Sequence, residues 1–103
     1  MLNKPRIEQW VAALRSGGYK QIRKEFRSEH GHCCLGVACE LTRSGDRWPG
    51  VAVNGSYIAA MTDDYGLNYD QYIRCVQMND EEGKSFAQIA DYLEGLCCLS
   101  NIN

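Results

Sequence analysis

Cys33-Cys34-Leu35-Gly36-Val37-Ala38-Cys39-Glu40-Leu41-Thr42-Arg43 is the stretch on which the fold turns. Cys34, Val37, Ala38 and Leu41 recur at helical spacing, and Leu35 and Cys39 widen that face. The segment therefore predicts a helix buried on nearly all sides. Gly36 costs a helix interior about 1 kcal/mol relative to alanine. A glycine there implies another backbone or a ligand packed close by. Ser44-Gly45-Asp46 ends the helix.

On the N-terminal side, Asn3 to Arg15 predicts a first helix. Ile7, Trp10, Val11 and Leu14 make its apolar stripe, Asn3 can cap it, and Pro5 sits in the first turn where its missing N–H costs nothing. Gly17-Gly18 stops it. Tyr19 to Arg27 reads as extended, with Ile22 and Phe26 on one face. Ser28 to His32 reads as a polar loop.

On the C-terminal side, Trp48-Pro49-Gly50 is a turn. Val51-Ala52-Val53, Asn54-Gly55 and Ser56-Tyr57-Ile58 predict a β-hairpin, because Asn-Gly supplies the positive φ values of a tight turn. Ala59 to Tyr65 reads as a short helix stopped by Gly66. Tyr69 to Met78 suits helix or strand. Asn79 to Lys84 is a loop, and Ser85 with Gln88 makes a capping box for a last helix carrying Phe86, Ile89, Ala90 and Leu93. Gly95 falls near that helix's end, with Cys97-Cys98-Leu99 tucked back into the core. The expected class is small α+β, a single domain over residues 1–103, with about three helices packed on a short antiparallel sheet.

The 103 residues, 45% of them hydrophobic, suffice for one core. Eleven Lys+Arg against thirteen Asp+Glu give a net charge of −2, which argues against a protein that coats DNA or RNA. Met1 to Trp10 contains Lys4, Arg6 and Glu8 and no signal-peptide run, and no stretch approaches the ~18–20 apolar residues of a membrane span. Reduced thiols follow from that reading. The cysteines at 33, 34, 39, 75, 97 and 98 include two adjacent pairs and no C-x-x-C. They read chiefly as small packing residues. A zinc site drawing on His32, Cys33 or Cys34, Cys39 and Cys97 or Cys98 is a weaker alternative, since the usual ligand spacing is missing.

Charge is uneven along the chain. Residues 1–60 hold nine Lys+Arg and five Asp+Glu, or +4, and residues 61–103 hold two and eight, or −6. Lys20, Arg23, Lys24 and Arg27 fall within eight residues and suit a phosphate, a pyrophosphate or an acidic protein. There is no Walker loop and no G-x-G-x-x-G. Two helix starts, Gly31-His32-Cys33 and Gly83-Lys84-Ser85, could offer free N–H groups to an anion. Lys20, Arg23 and Arg27 would then neutralise phosphate, Tyr19 or Trp10 would stack on a base, and Gln21, Asn79 and Asp80 would make polar contacts. His32, Cys33 and Ser85 complete the candidate set. His32 beside Cys33 lacks the surroundings of a known cysteine nucleophile, so no catalytic residue and no cofactor is expected.

The chain resembles a family of small bacteriophage proteins of uncharacterised function. The residues that carry the resemblance are Leu14-Arg15-Ser16-Gly17, Tyr19-Lys20-Gln21, the Cys33 to Leu41 helix, Met78-Asn79-Asp80 and Ser85 to Asp91. The resemblance implies a phage product acting in a bacterial host's cytoplasm, by binding. Some such proteins look like sponges that capture nucleotide signals of bacterial immunity. The expected function is therefore sequestration of an ADP-ribose derivative or cyclic nucleotide. The alternatives are inhibition of a host protein and a zinc-binding structural or regulatory module. A pocket in so short a chain is shallow for a dinucleotide, so a homodimer sharing the site is expected.

Overall fold

The first helix, α1, spans Lys4–Arg15 in a computed structural model that describes residues 2–24, 27–42 and 65–102. Asn3 caps it as expected: its side-chain oxygen accepts the backbone N–H of Arg6 at 3.3 Å. Ile7, Trp10, Val11 and Leu14 are all buried along one stripe. Gly17 leaves the helix with φ +79°, a left-handed turn that a residue without Cβ adopts without strain.

The distinctive segment forms α2, Cys34–Thr42, with Cys34, Leu35, Val37 and Ala38 buried. Its backbone is tied to its neighbours by two aromatic side chains. The Trp10 indole N–H donates to the carbonyl of Cys34 at 2.9 Å, and the Tyr65 hydroxyl donates to the carbonyl of Ala38 at 2.7 Å. The two rings also meet, with centroids 5.0 Å apart.

Between α1 and α2 the chain makes a minimal hairpin. Strand β1, Arg27–Ser28, pairs antiparallel with β2, Gly31–His32, with Arg27 opposite His32 and Ser28 opposite Gly31. The segment read as a polar loop thus supplies a strand. Farther back, Lys20 to Ile22 lies parallel to β2: the N–H of His32 donates to Lys20 O at 2.8 Å and the N–H of Ile22 donates to His32 O at 2.9 Å. Gly31 has φ +153°, and a Cβ there would lie 2.2 Å from the Lys20 carbonyl oxygen. Only glycine permits this approach.

Helix α3, Tyr69–Asp80, resolves the ambiguous segment. Asn68 and Gln71 close a reciprocal capping box, each side-chain oxygen accepting the other's backbone N–H, at 2.9 and 3.0 Å. Tyr72, Cys75, Met78 and Asn79 point inward. Helix α4, Phe86–Ile102, starts on the expected Ser85–Gln88 box. It buries Phe86, Ile89, Ala90, Leu93 and Cys97. The expected stop near Gly95 is wrong. The helix continues for seven residues beyond it, and Cys97 reaches the core from within the helix.

The α+β expectation of about three helices on a short antiparallel sheet is therefore corrected. Among the described residues there are four helices, and strand pairing is limited to the two-residue ladder and the Gln21–His32 bridge. Such a ladder has no apolar face on which helices could pack. The helices bury their stripes on one another instead, α1 against α4 and α2, α2 against α3, and α3 against α4. The Trp48-Pro49-Gly50 turn, the Val51–Ile58 hairpin and most of the Ala59–Tyr65 helix lie outside the described residues. No helix among the described residues is long and apolar enough to cross a membrane.

Candidate functional site

Asn79 organises the region where most of the candidate residues meet. It is only 1% exposed, and all its side-chain hydrogen bonds are internal. Its Oδ1 accepts Gln21 Nε2 at 2.9 Å and the backbone N–H of Cys34 at 3.2 Å. Its Nδ2 donates to Ile22 O at 2.9 Å and to Asp80 Oδ1 at 2.8 Å. One side chain at the end of α3 thereby fixes the start of α2 and the 20–24 segment. Gln21 adds a second tie, donating to Lys84 O at 2.8 Å. Asp80 Oδ1 also accepts the backbone N–H of Lys24 at 2.9 Å, and Lys24 has a left-handed φ of +66°.

The result is a cationic edge on a fixed backbone. Lys20, Arg23 and Lys24 are exposed, and none of the three forms an ion pair among the described residues. The Arg23 guanidinium reaches the turn at Gly83, where it comes within 4.0 Å of the position a Cβ would take. That turn carries Lys84, half-buried, just ahead of α4. Arg27 lies in β1, and its side chain is outside the description.

The other candidates divide. Tyr19 is half-buried, its ring edge-on to His32 at 5.2 Å, and His32 Nε2 lies 2.9 Å from Glu40 Oε2 on α2. Trp10 is fully buried and offers no ring face to a ligand. Cys33 is buried at the start of α2, and its thiol is pushed up to about 11 by that burial. Burial also raises Cys34, well above its ordinary range, and Cys75, to about 12. A thiolate is the reactive form of cysteine, so these three are poor nucleophiles at neutral pH. The Ser85 hydroxyl accepts Gln88 N–H as the α4 cap. Among the described residues no group of three or more His, Cys, Asp and Glu is placed to hold a metal ion.

Lys24 is the residue that sequence reasoning passed over. Its place in the basic cluster was visible, but lysine carries no sequence signal for a left-handed backbone. Glu40, as the partner of His32, was equally silent. A separate groove of about 420 Å³ runs beside α1 and α4, floored by Ile7, Val11 and Cys97 and edged by Lys4, Glu8 and Glu94. None of the residues nominated for nucleotide binding lines it, and Cys97, named for the alternative zinc site, does.

A family model described as a domain of unknown function (DUF8296) matches residues 2–57. The chain belongs to this family. Comparison with curated proteins and with solved structures gave no match. The DUF8296 match takes in α1, the cationic 20–24 segment, the hairpin and α2. It leaves out α3, α4 and the Asn79–Asp80 pair that holds the segment in place.

Proposed function

We propose that this DUF8296 protein binds a phosphate-bearing, nucleotide-derived small molecule without transforming it. The observation that supports this is the cationic edge. Among the described residues Lys20, Arg23 and Lys24 form no ion pair, and the backbone that carries them is held by Asn79 at Ile22 O and by Asp80 at Lys24 N–H. Preorganised cations lower the ordering cost of capturing an anion. Tyr19, half-buried beside the edge, is the ring available for a base. Asn79, Gln21 and Ser85 act by shaping the edge.

In the biological reading, the protein is a phage counter-defence factor that sequesters an immune signal, an ADP-ribose derivative or a cyclic nucleotide, in the host cytoplasm. A second copy of the chain completes a site too shallow in one. The test is calorimetry with ADP-ribose derivatives and cyclic dinucleotides, together with mass spectrometry of small molecules released by heating the purified protein. Saturable binding of one of these ligands is expected. No heat from any of them, and no released nucleotide, overturns the reading.

A further inference from the structure

We infer that Asp80 is a positioning residue for the anion-binding edge: its Oδ1 pins the backbone of Lys24 in a left-handed conformation, and this sets how the Lys20 to Lys24 cations are presented. The inference rests on the binding reading above and assigns within it the role of an otherwise paradoxical carboxylate.

A carboxylate is a poor neighbour for an anion. It accepts hydrogen bonds only, so it cannot donate to a phosphate, and its charge repels one. Asp80 nonetheless sits against the cationic segment. Its Oδ1 takes two donors, the backbone N–H of Lys24 at 2.9 Å and Asn79 Nδ2 at 2.8 Å. Lys24 is the one non-glycine residue with positive φ among the described residues. A residue with a Cβ resists that conformation, which persists only where its surroundings over-determine it. The Asp80 bond, backed by Asn79 and its own bond to Ile22 O, does this. The left-handed residue turns the chain immediately after Arg23, whose guanidinium then lies over the Gly83 turn beside Lys84. Asp80 thus costs the site a repulsion and returns a fixed loop.

The two effects separate by substitution. Asp80→Asn and Asp80→Ala remove the same charge, but only asparagine keeps an oxygen that can accept the Lys24 and Asn79 donors. With ADP-ribose as the calorimetric probe, Asp80→Asn is expected to bind within about threefold of wild type or more tightly. Asp80→Ala is expected to bind about tenfold more weakly, the size of one lost hydrogen bond. Equal affinities for the two variants overturn the inference while leaving the binding reading intact. Absence of binding by wild type overturns the binding reading. A second measurement needs neither ligand nor the alanine variant. The Lys24 amide is expected to exchange with deuterium at least tenfold more slowly than an open loop amide, in wild type and in Asp80→Asn alike. Free exchange of that amide in the wild type overturns the inference by itself.

Discussion

Asn79 and the buried cysteines show how single side chains set the character of this molecule. Asn79 is the buried polar side chain named above, and its carbonyl and amide ends each make two hydrogen bonds. Burying an amide is tolerable only when its groups are matched in this way. The thiols are the opposite case, small groups buried neutral with little hydrogen bonding. Their burial has a pH signature. Cys33 and Cys75 move from 9.0 to about 11 and about 12 in the fold, whereas an unfolded thiol ionises near its ordinary value. Above about pH 9 the unfolded chain therefore holds fewer protons than the folded one, and stability falls as pH rises. Each thiol contributes about 1.4 kcal/mol of loss per pH unit until its own folded value is reached. Below pH 9 both states keep these protons and the thiols add no slope. Urea unfolding from pH 7 to 10.5 is expected to show a flat stability and then a steep fall, shallower in Cys33→Ala. An identical alkaline slope in that variant would show that the Cys33 thiol is not held neutral by the fold.

At the scale of elements, two glycines make opposite predictions. Gly95 lies inside α4, and a Cβ there would meet nothing within 4 Å. Gly95→Ala is expected to stabilise the protein by about 1 kcal/mol, raising Tm by about 4–8 °C. Gly31→Ala is expected to lower Tm, because its Cβ would strike the Lys20 carbonyl oxygen. Thermal melts by circular dichroism check both, and a neutral or destabilising Gly95→Ala would count against a continuous α4. The same element shows what the sequence could reveal. Caps and stripes were legible, as at Asn3 with Ile7, Trp10, Val11 and Leu14, and at Ser85 with Gln88. The end of α4 was not, because a single glycine weakens a helix without stopping it, and Cys97 still had a core to join. For α3 the Asn68–Gln71 box was present in the sequence but overlooked, and the aromatic and β-branched residues around Tyr72 and Ile73 suited either period. The cationic edge was legible as charge. Its geometry was not, since the bonds that hold it span from residue 21 to 79 and from 24 to 80.

Over the whole molecule, the charge asymmetry between the two parts of the chain is partly cancelled by folding. Arg15, from the basic part, reaches Asp91 at 2.6 Å and Glu94 at 3.1 Å on α4, in the acidic part. Among the described residues Lys20, Arg23 and Lys24 form no ion pair, and they stand close together on a protein whose net charge is −2. A net negative protein does not draw anions by its overall field, so any attraction of a phosphate must come from this local edge and act over a short range. Salt then separates binding from folding. Raising NaCl tenfold, from about 50 to 500 mM, shortens the Debye length about threefold. Affinity for ADP-ribose is expected to fall at least tenfold over that range. Tm is expected to change little, because the arginine ion pairs among the described residues, Arg15 with Asp91 and Glu94 and Arg74 with Glu82, lie at the surface, where such pairs contribute modestly. Binding that survives high salt undiminished would mean that the ligand is held by its base or by an apolar surface, and the groove beside α1 and α4 would then be the place to look for it.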